Sequence, residues 1–281
     1  MELEQKYALL REIIAEAGSA AVAFSGGVDS SLLLKVCVDT LGDRTLAITA
    51  HSETFPEREL MEATQLARSM GARQVVITTR ELEVPGFSHN PPHRCFLCKG
   101  ELFSKAWEVA RLHGMEWLFD GSNADDAADY RPGRVAAKEL GVRSPLDEAG
   151  LRKEDVRGLS RMLGLPNWDK PSLACLSSRF PYYTTITRAS LRQVEDAEEG
   201  LRRLGFRVFR VRHHEAVARI ELGEKEMIMI QDAELRDRIV KTFRSLGYEY
   251  VSVDLEGYRT GSMNRTLKRN LLLPDGGRDF P

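Results

Sequence analysis

The apolar run Ala21-Val22-Ala23-Phe24 leads without a polar break into Ser25-Gly26-Gly27-Val28-Asp29-Ser30-Ser31, and that segment leads straight into Leu32-Leu33-Leu34. An apolar run, a glycine pair and a second apolar run read as strand, tight loop and helix, a succession that favours a parallel sheet covered by helices. The flanking sequence repeats the alternation. Short apolar runs at 20–24, 45–49, 74–78 and 116–120 read as strands. Amphipathic stretches at about 4–17, 30–41, 57–70 and 100–113 lie around them, and Gly42, Gly71 and Gly114 stand just past the last three as helix stops. The expected fold is α/β, a doubly wound parallel sheet with right-handed crossovers. Ligands of such sheets sit beyond the carboxyl ends of the strands, which directs attention to the residues after Phe24, Thr49, Thr78 and Asp120.

After the fourth strand the pattern loosens. Residues 123–181 read as a lid or connector with one good helix at about 153–163. A smaller α+β unit then follows: a helix over 188–204, strands over 207–213 and 217–222, a helix over 232–246 and a strand over 249–255. The expected division is 1–180 and 181–281, with a loose tail over 274–281. With 281 residues, 42% of them hydrophobic, the chain can bury a substantial core. Forty basic residues against 42 acidic ones leave a formal charge of -2. Nothing global therefore draws the protein to nucleic acid or a membrane surface, and any anion site must be local. Glu2, Glu4 and Lys6 interrupt the start of the sequence, and no segment reaches membrane-spanning length, so a cytoplasmic protein is expected. In that reducing setting four cysteines read as thiols, metal ligands or catalysts.

Gly26 and Gly27 let the backbone bring N–H groups close to an anion, and the helix after them aims the positive end of its dipole at the same point. A glycine pair alone is as often a plain turn, with Asp29 or Ser30 capping the helix. The loop is neither a Walker phosphate loop, which needs Gly-x-x-x-x-Gly-Lys-Ser/Thr, nor a dinucleotide fingerprint, which needs Gly-x-Gly-x-x-Gly. Among the cysteines, Cys37 lies within an apolar helix and reads as core filling. Cys95-Phe96-Leu97-Cys98 follows Pro91-Pro92 just ahead of a helix, and Cys175 sits in a small-residue loop four positions before Arg179. A second C-x-x-C that would complete a four-cysteine zinc site is missing. Three thiolates suit a [4Fe–4S] cluster with one iron left open. Arg210 and Arg212, two apart on an expected strand, share a face and could converge on an oxyanion.

The hexapeptide Ser25-Gly26-Gly27-Val28-Asp29-Ser30 after an apolar strand resembles the loop of the PP-loop ATP pyrophosphatases. That resemblance implies that the loop holds the phosphates of ATP, with Ser25, Gly26, Gly27, Val28 and Ser30 as the cradle and Asp29 on the Mg²⁺ side. Ala50, His51 and Ser52 fall where such enzymes hold adenosine. Further motifs narrow the resemblance: Pro92 through Lys99, Asp120-Gly121-Ser122-Asn123, Cys175 through Tyr182, Arg210-Val211-Arg212-His213, Ala218-Arg219-Ile220-Glu221 and Gly257 through Asn264. Together they are similar to the ATP-dependent sulfur insertases that mature the nickel-pincer nucleotide cofactor of lactate racemase, over nearly the whole chain. The resemblance implies adenylation of a carboxylate of a pyridinium biscarboxylate mononucleotide, release of pyrophosphate, and conversion to a thiocarboxylate.

It also implies roles for individual residues. Cys175 is the sulfur-bearing position. Cys95 and Cys98 match the additional pair of members that carry a [4Fe–4S] cluster and point to that type, while sacrifice of Cys175 as dehydroalanine remains the alternative. Lys99 and Gly121 lie near the nucleotide, Arg210 and Arg212 near the substrate's phosphate, and Glu198 and Asp232 near the substrate end, with Glu199 a rival for Glu198. A sulfur donor, a downstream nickel-insertion protein and a homo-oligomer, typically a hexamer, are the implied partners. Tranfer of sulfur to tRNA and amide formation are the competing activities within the wider superfamily.

Overall fold

The computed structural model describes residues 2–128, 132–171 and 174–259. The chain forms two compact units. The first comprises 1–87 and 93–175; the second comprises 88–92 and the chain from 176 onward. The short stretch 88–92 thus belongs to the second unit although the first surrounds it in sequence.

The first unit is built on a parallel sheet of β1 (Ala20–Ala23), β2 (Thr45–His51), β3 (Arg73–Thr78) and β4 (Trp117–Phe119), in the order β3-β2-β1-β4. Side chains alternate across it. Ala20, Val22 and Ala47 face one core with α1 (Leu3–Glu16), α2 (Val28–Leu41) and α3 (Glu57–Ser69), where Leu32, Leu33, Leu34 and Val36 are wholly buried. Ala21, Leu46 and Ile48 face a second core with Phe103, Ala106 and Ala110 of α4 (Arg94–Leu112). Burial on both faces explains why the strands read as continuous apolar runs rather than alternating ones.

Chain order decides where a ligand can sit. From β1 the chain moves outward through β2 to β3, then returns to place β4 on the other side of β1. The direction of winding reverses between β1 and β4, and the loops leaving those two strands flank the crevice that opens there.

The expected doubly wound sheet is therefore present, with strand ends shifted by a residue or two. Two corrections concern helices. α4 begins at Arg94, not near residue 100, because Gly100 is accommodated inside the helix with open space where a side chain would go. The stretch expected to be irregular also carries α5 (Pro132–Glu139) and α6 (Pro145–Glu148) before α7 (Lys153–Met162). α5 packs closely on α4, and its apolar content of Val135, Ala136 and Ala137 is too small to show a helical period in sequence.

In the second unit β5 (Phe209–His214) pairs antiparallel with β6 (Val217–Leu222), which pairs parallel with β7 (Tyr250–Val253). α8 (Arg188–Arg203) and α10 (Ala233–Ser245) cover the sheet through Ala197, Leu201, Ile239 and Phe243. A short helix α9 (Glu224–Met229) that the sequence did not suggest follows β6. The Gly257–Asn264 motif is described only to Arg259, and the tail expected over 274–281 lies outside the described residues.

Leu33 is wholly buried where α2 meets the sheet. Leu33→Ala is expected to cost about 2–5 kcal/mol, read as a lowered midpoint in urea denaturation.

Candidate nucleotide and sulfur site

The loop after β1 is short because Phe24 still donates its N–H to Ile48 O at 2.8 Å and α2 already starts at Val28. Ser30 ties its base. The Ser30 hydroxyl donates to Gly27 O (3.2 Å) and accepts from Ser25 N–H (3.3 Å), with Ser25 Oγ 3.2 Å away. The N-cap of α2 is Gly27, which has no side chain to satisfy the first turn, so the N-terminal amides are left for an incoming anion. Gly26 is held at φ +71°, and a Cβ there would stand 2.9 Å from Ala63 Cβ of α3. Both features require glycine.

The loop after β4 closes on the first loop. A Cβ on Gly121 would lie 2.9 Å from the backbone nitrogen of Ser30, so the two backbones nearly touch. Asp120 is fixed behind this point, with Ser144 Oγ donating to it at 2.6 Å and Ser122 Oγ at 2.8 Å. Asn123 Nδ2 donates to Asp29 Oδ1 at 3.0 Å, and Lys153 Nζ at the start of α7 pairs with Asp29 Oδ2. From behind, Asn167 Nδ2 donates to Gly26 O (3.0 Å) and to Ser31 Oγ (2.9 Å). In a trans peptide the carbonyl and the following N–H point opposite ways, so a tether on Gly26 O turns Gly27 N–H to the other side.

At the end of β2, Ala50 is half-buried, His51 pairs with Glu57 at 3.1 Å on the surface, and the buried Ser52 hydroxyl lies 3.0 Å from that of Thr54.

Cys95 and Cys98 occupy the first turns of α4 rather than a turn ahead of it, and a spacing of three puts them on one face. They sense Cys175, the last residue of the first unit. Burial, then the Cys175 thiolate, pushes the Cys95 thiol up, while Arg94 and Lys99 pull it down. Burial pushes Cys98 further up, with Cys175 and the buried Glu81 adding to it. Lys99, four residues after Cys95, lies over the Phe103 ring 5.1 Å from its centre. Among the described residues no three or more His, Cys, Asp or Glu side chains already form a metal-holding group. The donor chemistry fits an iron–sulfur cluster, but the three thiols would have to draw closer to ligate one. Cys37 is wholly buried, and burial drives its thiol strongly toward the protonated form, in keeping with core filling.

In the second unit the expected substrate residues fall into a dense ionic network. Arg179 makes a two-point contact with Glu198, at 2.9 and 3.0 Å, and Glu198 also accepts from Val211 N–H at 3.2 Å. Arg212 is buried, donating to Glu221 at 2.6 Å and to Ser178 O at 3.0 Å. Arg210 is half-buried, with its guanidinium 5.0 Å from the centre of the Tyr258 ring, and burial followed by Arg179 holds its pKa down. Glu198 and Glu199 separate cleanly, since Glu198 is inside the network and Glu199 pairs outside with Arg203 at 3.2 Å. Asp232 is exposed and caps α10, accepting from Glu234 N–H at 2.9 Å.

Sequence reasoning passed over Lys153, Asn167 and Arg179 as site residues. Lys153 and Asn167 meet the loop across 124 and 141 residues of chain, a separation that no local pattern encodes.

Two outcomes follow from this geometry. Gly26→Ala should weaken binding of inorganic pyrophosphate by about tenfold or more, measured by calorimetry, because the left-handed backbone alone costs about 1–2 kcal/mol and the new methyl meets Ala63. Burial acts to raise the Glu198 carboxyl, but Arg179 outweighs it and holds the group below the usual carboxylate range. Its contribution to stability is then fully present above the unfolded value of about 4.3 and is lost as pH falls from there through the lower folded value. Glu198→Gln should lower the melting temperature at pH 7 and flatten its fall below about pH 4.3.

The sequence profile of the NAD synthase family matches residues 2–93, which hold β1, the glycine loop and α2. An uncharacterised protein of Synechocystis sp. is 45% identical over 95% of this chain and 100% of its own length. An uncharacterised protein of Methanocaldococcus jannaschii is 28% identical over 85% of this chain and 90% of its own. A relative from Lactiplantibacillus plantarum is 41% identical over 95% of this chain and 96% of its own length. The match spans both units and the glycine loop, and so the chain belongs to the family of that relative, pyridinium-3,5-bisthiocarboxylic acid mononucleotide synthase.

Proposed function

We propose that this protein is an ATP-dependent sulfur transferase that adenylates a carboxylate of pyridinium-3,5-biscarboxylate mononucleotide and converts it to a thiocarboxylate. The observation that carries this reading is the pairing, within one unit, of an anion cradle at the switch point of the sheet with Cys95 and Cys98 on one face of α4, both of which register the charge of Cys175. The full-length likeness to a synthase whose product is a bisthiocarboxylic acid supports it.

A substrate carboxylate oxygen attacks the α-phosphorus of ATP, the bond to the β-phosphate oxygen breaks, and pyrophosphate leaves. The N-terminal amides of α2 and the dipole behind them stabilise the charge that develops on that leaving group. Asp29, held by Asn123, would be the residue that holds Mg²⁺, and the ion would supply positive charge against the phosphates. The Cys175 sulfur then attacks the acyl carbon, AMP leaves, and a thioester remains. Loss of the cysteine Cα proton and cleavage of its Cβ–S bond leaves dehydroalanine on the protein and a thiocarboxylate on the substrate, so every atom of the transferred sulfur is accounted for.

The electrostatic influence of Cys175 on both Cys95 and Cys98 supports a second mode of delivery. These three would be the ligands of a [4Fe–4S] cluster, which would supply the transferred sulfur in place of the cysteine's own. Arg210 and Arg212 are the candidates for the substrate's phosphate. Glu198 and Asp232 fit supporting roles, one holding Arg179 and the other capping α10. A cytoplasmic, homo-oligomeric enzyme fed by a sulfur donor and followed by a nickel-insertion protein completes the proposal. Among the described residues no helix is long and apolar enough to cross a membrane.

Anaerobic purification separates the two modes of delivery. A brown protein with about four irons per chain, lost on Cys95→Ala, establishes the cluster. A colourless chain that becomes lighter by the mass of H₂S at Cys175 after one turnover establishes sacrifice. Substrate-dependent pyrophosphate release that persists unchanged in Asp29→Ala would sink the nucleotide assignment itself.

A further inference from the structure

After β7 the chain turns back onto its own sheet. Asp254 N–H donates to Ile220 O at 2.9 Å, Asp254 Oδ1 accepts from Glu256 N–H at 2.9 Å, and Gly257 N–H closes the turn on Asp254 O at 3.1 Å. Tyr258 N–H then donates to Leu222 O at 2.8 Å. Gly257 is held at φ +69°, and a Cβ there would stand 2.7 Å from that same Leu222 oxygen, so the turn requires glycine. In the register of β5 and β6, Arg210 lies opposite Glu221, one residue before Leu222. The turn therefore delivers the Tyr258 ring to Arg210, whose guanidinium lies 5.0 Å from the ring centre.

Neighbouring arginines meet carboxylates instead. Arg179 contacts Glu198 at two points, Arg212 contacts Glu221, and Arg219 contacts Glu221 and Asp254. A carboxylate engages an arginine through the N–H groups in the guanidinium plane, the same donors that a phosphate uses. An aromatic ring engages the face, leaves the edge of the fork to another partner, and attracts the cation without cancelling its charge. Arg210 also has to be held against repulsion, since Arg179 and Arg212 oppose its charge while Glu198 favours it. Its Nη1 donates to Phe209 O at 2.7 Å, which fixes one arm, and the ring fixes the plane.

We infer that Tyr258 is a positioning residue of the substrate's phosphate site, its ring holding the face of the Arg210 guanidinium so that the edge of the fork meets a phosphomonoester. This rests on the proposed reading in which Arg210 meets the phosphate of a pyridinium mononucleotide. Tyr258 acts through Arg210, and no bond is made or broken. The paired residues Gly257 and Tyr258 then have one purpose, glycine permitting the turn and the aromatic supplying the stack.

Binding distinguishes this role from a merely structural one. Nicotinic acid mononucleotide, a pyridinium mononucleotide with one carboxylate, serves as the probe. In the full-length Tyr258→Leu protein its affinity by calorimetry should fall about fivefold or more, and Tyr258→Phe, which keeps the ring, should restore it. In an Arg210→Gln background, Tyr258→Leu should cause no further loss, because the ring has nothing left to hold. Unchanged affinity in Tyr258→Leu would overturn the proposal, as would a Tyr258→Phe protein as weak as Tyr258→Leu, or losses that add fully in the double variant. Mg–ATP, titrated into the same proteins, should bind as before; if it weakens while the mononucleotide does not, the stack serves the triphosphate and the proposal falls. Arg210→Gln alone supplies the separating control. Full mononucleotide affinity there defeats the phosphate reading of Arg210 itself, whereas a loss there beside an unaffected Tyr258→Leu removes only the role given to Tyr258.

Discussion

The near-contact of two backbones, Gly121 against Ser30, is the constraint on which the first unit depends. It exists because β4 lies beside β1 and not at the outer edge beyond β3. That placement brings the loop after β4 within hydrogen-bonding reach of the loop after β1, and Asn123 can then fix the Asp29 carboxylate. A side chain at 121 would wedge the two loops apart at the first turn of α2, where the amides that meet an anion lie. The reversal in strand order and the small residue at 121 are thus two aspects of one requirement: to assemble a polar site from chain segments about a hundred residues apart without spending side-chain volume on their junction.

Much of this architecture was legible in sequence because the relevant signals are local. Strand, glycine pair and helix are adjacent in the chain, so β1, the cradle and α2 could be read from consecutive residues, and the four parallel strands from their apolar runs. The failures share a cause. α4 starts six residues before the expected point because Gly100 reads as a breaker when tertiary packing on the sheet sustains the helix through it, overriding a propensity penalty of about 1 kcal/mol. Consequently Cys95 and Cys98 are helical residues on a shared face rather than thiols of a turn. Lys153 and Asn167 carried no local signal at all, since a first-turn lysine and a loop asparagine are ordinary surface choices until the fold brings them to the cradle.

The second unit illustrates the same limit for charge. Two arginines at a spacing of two suggested a binding face, but sequence could not show that Arg212 would be drawn inside by Glu221 or that Arg179 would claim Glu198. Buried carboxylates and guanidiniums must be paired to be tolerated, and that pairing consumes some of the charges that a pattern argument assigns to a ligand. Arg210 stands apart. Burial and then the cationic Arg179 hold its pKa down while Glu198 acts the other way, and an added anion would favour its charged form.

The thiols set a related electrostatic limit. Burial, and then charge on Cys175, raises both Cys95 and Cys98, so a charge on Cys175 opposes a second thiolate beside it. One thiolate is what a single attack on an acyl adenylate requires. Three are what a cluster requires, and their mutual repulsion would then have to be offset by the positive charge of the iron, with the proton release that accompanies thiolate ligation. Arg94 and Lys99 lower that barrier at Cys95 without removing it.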